Sequence, residues 1–289
     1  MWHAEPHLVI TRLSPDDDRL CPRCAGTATE DGRMTGLQHA PLLCELHAHT
    51  TWSDGSQTIG QLVDTYGRAG FDVLCVTDHV VRSDDPEHPA GGPLKHVHRR
   101  NHSSYVMAIE IEAARARVQY DLLVLPGLEL TYNDPDPLRA AHAVAVGLES
   151  FTGVDDGIEC ALRDARSQGA ALIAAHPYVP ATAAGAPRHT ARFASDWRAL
   201  APLVDRWELI NRRDVFGWVG EAGLPVVATG DAHEPEHVLT WKTMIFCRKE
   251  RAAVLAHLRS AAPTYLVDAA MVVAAREAAC LARLTRAVS

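Results

Sequence analysis

Seven short β-branched, apolar runs punctuate this chain, and six of them have candidate histidine or carboxylate ligands at or near an end. They read PLLCELH (41–47), FDVLCVT (71–77), DLLVLPGLEL (121–130), AHAVAVG (141–147), AALIAAH (170–176), DRWELIN (205–211) and LPVVATG (224–230). Between them lie longer amphipathic stretches: TIGQLVDTYGRAG (58–70), HSSYVMAIEIEAARARVQY (102–120), GIECALRDARSQG (157–169) and the segment 214–223. Several of these end in Gly just before the next run, as helix C-caps do. Short strands alternating with helices predict parallel strands joined by crossover helices. Seven such units fit a closed or nearly closed α/β barrel better than an open sheet, and either architecture puts its site at the C-terminal ends of the strands.

The strand ends carry the chemistry. In ELHAHTTWSDG, His47 and His49 are two residues apart and so point to one side of an extended chain. Asp54 follows in a Ser-Asp-Gly turn that can bring its short carboxylate back over the strand end. The second run leads into TDH with His79, the third contains Glu129, the fourth opens on His142 and the fifth ends at His176 before Pro177. The seventh leads into GDAH, where Asp231 and His233 repeat the two-residue spacing. Nine mixed nitrogen and oxygen donors exceed the needs of one ion and suit Zn²⁺, Mn²⁺ or Fe²⁺, so two or three divalent ions are implied.

This ordered set resembles the PHP family, named for polymerase and histidinol phosphatase. HAHTTWSDG, TDH, GLEL, the histidine of AHAVAVG, AHP and GDAH match its motifs over roughly residues 42–250. The resemblance implies a distorted, TIM-like (β/α)7 barrel. It also implies one ion on His47, His49, Glu129 and Asp231, a second on Glu129, His142 and His176 with Glu129 bridging, and a third on Asp54, His79 and His233. The activity implied is metal-dependent hydrolysis of a phosphoester, because such ions activate water and neutralise phosphate oxygens. The expected substrate is a small phosphomonoester or nucleotide, with histidinol phosphate as the named case.

Other residues take subsidiary expectations. Asp78, beside His79, is a candidate proton donor or a carboxylate that orients a ligand. Arg212 and Arg213, after the sixth run, are first choices as phosphate clamps, with Arg82, Arg139, Arg188 and Arg192 as alternatives. Residues 83–105, with His88, His96, His98 and His102, read as a lid over the mouth, and Trp52 either stacks on substrate or packs beneath its loop. Cys21 and Cys24 form a lone CxxC without a second pair.

Residues 1–40 are expected to be an N-terminal extension, 41–266 the barrel and 267–289 a closing helix. A net charge of −8 argues against a nucleic-acid partner or an anionic membrane, and the absence of an apolar run of about 18 residues points to the cytoplasm. Two alternatives share the metals. An amidohydrolase would add a metal-bridging modified lysine, for which only Lys95, Lys242 and Lys249 exist; a non-catalytic metal-stabilised scaffold would not need nine donors.

Overall fold

In the computed structural model, described for residues 39–86, 95–180 and 190–288, all seven runs are strands. They are β1 (Pro41–Glu45), β2 (Val73–Val76), β4 (Leu123–Tyr132), β5 (Ala141–Val146), β6 (Ala171–Ala175), β7 (Arg206–Asn211) and β9 (Val226–Thr229). Four further strands join them: β3 (His79–Val81), β8 (Asp214–Val215), β10 (Trp241–Phe246) and β11 (Tyr265–Asp268). The longer helices are α1 (Ile59–Arg68), α2 (His102–Tyr120), α3 (Ile158–Ser167), α7 (Arg251–Leu258) and α8 (Ala269–Val288); α4 (Arg192–Ser195), α5 (Trp197–Leu200) and α6 (Gly217–Glu221) are single turns. The segment 214–223, expected to be helical throughout, divides into β8 and α6. Cys21, Cys24, His88 and Arg188 lie outside the described residues. Among the described residues no helix is long and apolar enough to cross a membrane.

The strands form one curled sheet in the order β11-β10-β1-β2-β4-β5-β6-β7-β8, with β3 on β4 and β9 on β7. The curl brings the chain beyond β1 and β9 together, where Ala48 and Ala232 form a parallel bridge. His49 N donates to Ala232 O at 2.8 Å and Ala232 N to His47 O at 3.1 Å, so two segments carrying candidate donors are stitched side by side.

The sheet departs from a regular (β/α)7 repeat: among the described residues it has eleven strands, β1 pairs antiparallel with β10 and not with β9, β10 pairs antiparallel with β11 and β7 with β8, and among the seven runs β5 is reversed. β5 runs antiparallel to both β4 and β6, and no helix intervenes between β4 and β5. Reversal puts the first residues of β5 at the rim where its neighbours end: His142 pairs with Thr131 near the end of β4 and with Ala175 at the end of β6. An all-parallel strand would have carried His142 to the opposite end.

Two apolar layers support the sheet. Leu42, Cys44, Val73, Cys75, Leu125, Val144, Ile173 and Val227 fill the inside of the curl, and Val254 and Leu258 of α7 join them. The other faces of the strands pack on the buried sides of α1, α2 and α3. Arg206, at the start of β7, donates to the carbonyls of His257, Leu258, Ser260 and Ala262 at the C-terminal end of α7. This leaves the rim that carries the candidate donors at the other end of the curl.

Beneath that rim sits a fully buried ion pair. Glu45 Oε2 lies 3.1 Å from Lys242 Nζ and accepts from the Tyr66 hydroxyl at 2.8 Å. Its Oε1 accepts from the backbone N–H groups of Leu46, His47 and Gly230. One carboxylate thus joins the ends of β1 and β9. A buried pair is costly to break from one side. Lys242→Met is therefore expected to lower unfolding free energy by about 3–5 kcal/mol in urea denaturation, whereas Lys95→Met, at an exposed position, should cost much less.

Candidate metal centre

All nine predicted donors converge on the rim. Glu129 is the centre of the group. Its Oε2 lies 3.4 Å from His47 Nε2, 3.3 Å from His49 Nε2 and 2.8 Å from His79 Nδ1. Its Oε1 lies 3.0 Å from His142 Nδ1 and 3.2 Å from His176 Nε2. Three compact donor sets result: His47, His49 and Glu129; Glu129, His142 and His176; and His49, Asp54, His79 and His233. Asp231 stands beside the first set, its Oδ1 3.6 Å from His47 Nε2 and 3.3 Å from His49 Nε2. His49 faces two ways, with Nε2 toward Glu129 and Asp231 and Nδ1 3.8 Å from Asp54, so it belongs to two sets where the family pattern implied one.

Local backbone geometry aims these groups. A Cβ on Gly55 would collide with the carbonyl of His49, so only glycine lets the turn fold closely enough to return Asp54. His176, Arg212 and Asp231 are non-glycine residues with positive φ of 27°, 52° and 42°, each just past the end of β6, β7 or β9. Residues held in such conformations cluster where a site over-determines the backbone.

The residues behind the donors fix their ring orientation. Glu208 Oε1 lies 2.9 Å from His47 Nδ1 and accepts from the Thr229 hydroxyl, while its Oε2 accepts from His176 N and Asn211 Nδ2. Asn133 Oδ1 lies 2.8 Å from His142 Nε2, leaving Nδ1 for Glu129. Glu208 and Asn133 were not singled out in the sequence. Their signals are faint: Glu208 lies in the sixth of the seven runs, which carries none of the nine donors, and Asn133 simply follows β4.

Cation binding fits this arrangement. A carboxylate only accepts, so His47 Nδ1 carries the proton in its contact with Glu208, and Nε2 of the neutral ring is then a lone pair. That lone pair faces the Glu129 oxygen. His47 Nε2, His49 Nε2 and Glu129 Oε2 are all buried without a hydrogen-bond partner. Buried acceptors facing one another need a proton or a cation between them. The separations of 3.3 to 3.6 Å from both histidines to Glu129 and Asp231 are close to the ligand–ligand edge of about 3.4 Å in a tetrahedral shell with 2.0–2.1 Å bonds.

The carboxylates call for positive charge among these rings, whether it is carried by a proton or by a cation. Burial alone would depress His47 and His79, yet adjacent carboxylates, Asp231 and Glu129 for His47 and Glu129 and Asp54 for His79, raise both well above the usual imidazole range. Burial pulls His49 down to about 3, helped by the charges of His79 and His233. Against burial, the surrounding histidines hold the Glu129 and Asp231 carboxyls well below their usual range.

The subsidiary residues sort by their contacts. Asp78 is buried, and its oxygens accept from Thr50 N, Thr50 Oγ1 and Ser53 Oγ at 2.8, 2.8 and 2.6 Å. It ties down the loop that carries Asp54, with Ser53 Oγ 3.4 Å from His49 Nδ1, and this favours the orienting role over the proton donor. Trp52 packs edge-on against Tyr105 at 5.5 Å. Arg212 donates to Asp231 O and lies 3.1 Å from Asp231 Oδ2 and 2.9 Å from His233 Nδ1. Arg213 is exposed beside it. Arg82 and Arg139 lie near Asp134, and Arg192 pairs with Glu159. Lys242 and Lys249 are engaged by Glu45 and by Asp72 with Asp121, away from the donor sets. His102 belongs to α2 and packs on Phe151, so the lid expected over 83–105 ends in a helix.

No family model and no curated protein match this chain. Solved structures do. A two-domain protein of Bacteroides vulgatus containing a predicted PHP-like metal-dependent phosphoesterase superposes with a TM-score of 0.57 at 19% identity, over 84% of this chain and 69% of that one. PsfC of Pseudomonas syringae gives 0.49 at 14% identity, over 85% and 98% of the two chains, respectively. The first match shows a fold shared with a PHP-like protein.

Substituting Glu208 tests the orienting layer. Glu208→Gln keeps the size but removes the charge opposite His47 Nδ1, and loss of a carboxylate that holds a ligating histidine typically weakens metal binding by about 10–100-fold. A chelator-competition titration with Zn²⁺ or Mn²⁺ should show that drop with little change in circular dichroism.

Proposed function

We propose that this protein is a metal-dependent hydrolase of phosphoesters, acting on a small phosphorylated molecule at the rim of the curled sheet. The observation that carries this reading is the buried, cation-demanding contact of His47 and His49 with Glu129 and Asp231, extended by two further donor sets that share Glu129 or His49. The shared fold of a PHP-like protein supports it. Two or three divalent ions held by His47, His49, Asp54, His79, Glu129, His142, His176, Asp231 and His233 would activate water and draw in phosphate oxygens.

The chain's own residues supply orientation. Glu208 and Asn133 set the tautomers of His47 and His142. Asp78 holds the Thr50–Ser53 turn so that Asp54 faces His79 and His233. Arg212 steadies Asp231, and its side chain, 37% exposed, adds positive charge on the solvent side of the centre for a phosphate oxygen. No Ser or Cys nucleophile is required. Asp134 beside Arg82 and Arg139, and Glu159 beside Arg192, make those arginines weaker phosphate clamps than Arg212 and Arg213.

Phosphate release should be measured with Mn²⁺- or Zn²⁺-loaded protein on nucleotides, sugar phosphates, histidinol phosphate and an aryl phosphate. Turnover that is abolished by chelator and falls at least a hundredfold in Asp231→Ala is expected. Metal-loaded protein that releases no phosphate from any of them would overturn the reading.

A further inference from the structure

Beside the metal centre, on the β3 and α3 side, lies a cavity of about 620 Å³. We propose that it receives the leaving group of the ester and takes an uncharged, flat ring with hydrogen-bond donors, such as the base of a nucleoside. This rests on the phosphoesterase reading and adds to it the part of the substrate that is recognised.

Position is the first argument. β3 begins at His79, a member of the donor sets, and the cavity wall begins at Val81 and Arg82. Three residues of extended chain span only about 10 Å. The opposite wall is tied to the same histidine, because Val97 N donates to His79 O at 2.8 Å, and His96 and His98 flank it on that wall. The cavity wall therefore starts about 7–10 Å along the chain from a donor, within the reach of a ligand that carries a ring on a sugar phosphate.

Size is the second. Cavities of about 300–1,000 Å³ suit organic ligands, and orthophosphate alone would leave this one nearly empty. Charge is the third. Arg82, Arg99 and Arg100 are matched by Asp155, Asp156 and Asp164, so the walls carry no net attraction for a polyanionic tail. Carboxylates accept from N–H and O–H groups, and guanidinium groups donate to carbonyl or ring nitrogen acceptors. Phe151 supplies the flat surface: the Arg99 guanidinium lies over its ring at 4.9 Å, a stacked pair on which a second ring can lie. Asp155 and Asp164 are partly committed, to Ser83 N at 2.7 Å and the Thr152 hydroxyl at 2.7 Å. Exposed Asp156 is the carboxylate assigned to the ring's donors.

Adenosine 5′-monophosphate and ribose 5-phosphate present the same phosphoester and differ only in the base. With the full-length, metal-loaded protein, kcat/KM should favour the nucleotide by at least tenfold. That ratio should fall to within about threefold of unity in Phe151→Ala, and drop in Arg99→Ala and Asp156→Asn, two exposed positions where misfolding is not a concern. Adenosine, which has no phosphate, should bind in calorimetry, and at least tenfold more weakly in Arg99→Ala. Equal kcat/KM for the two esters, or a preference untouched by all three variants, would overturn the cavity assignment. So would failure of adenosine to bind. Adenosine binding without phosphate release from either ester would instead sink the phosphoesterase reading while the ring site stands.

Discussion

Everything at the rim follows from putting one carboxylate, Glu129, where water cannot reach it. A buried carboxylate costs several kcal/mol unless it is compensated. Here the compensation comes from five imidazoles on four different segments, with His47, His49 and His79 on one oxygen and His142 and His176 on the other. Those segments must end at the same height, and this sets the geometry of the sheet. β1 and β9 are held together by Glu45 and by the Ala48 bridge, and β5 is reversed so that His142 arrives at the same level as His176. The hydrophobic interior and the Arg206 clasp on α7 make the curl stable. The carboxylate dictates where the strand ends must meet.

Much of this was legible from spacing. The pairs His47/His49 and Asp231/His233 identify inward-facing strand ends because side chains alternate in extended chain. The seven runs were visible because β-branched residues bounded by Gly, Pro and polar turns have few other uses. His142 also held a signal that strand periodicity alone does not decode. A donor at the start of a run, when the others stand at the ends, implies a reversed strand, and β5 is reversed. β10 was hidden because WKTMIF has its only charge, Lys242, pointing into the core against Glu45. A buried lysine inverts the usual polar-outward pattern, and sequence cannot announce the partner that makes this tolerable.

Glu208 and Asn133 were illegible for a related reason. Orienting residues need only one good hydrogen bond to a ligand, and they reach it from any nearby backbone position, so they follow no fixed spacing. In sequence Glu208 resembles any polar residue in a strand. In the structure it is completely buried and serves four partners: His47, His176, Thr229 and Asn211. Burial pushes its carboxyl up, but His47 outweighs this and holds it below its ordinary value. A charge kept in that position fixes a proton on His47 Nδ1, so that in the neutral ring the lone pair is on Nε2, facing the centre.

The same logic separates catalysis from recognition in this fold. The donors stand on strand ends tied by backbone bridges, buried carboxylates and left-handed residues, and a shift of one residue would cost several hydrogen bonds together. The cavity walls beside them come from the short turn after β3, the segment before α2 and the first turns of α3, where side chains such as Arg99, Arg100 and Asp156 are exposed. Changing those side chains costs little stability, because surface substitutions usually fall within about 0.5 kcal/mol. Under the proposed function, a centre that tolerates no movement, set beside walls that tolerate substitution, would allow the leaving group to vary while the chemistry at the donor sets stays the same. Sequence variation among proteins sharing this fold should therefore concentrate in the turn after β3 and in the first turn of α3.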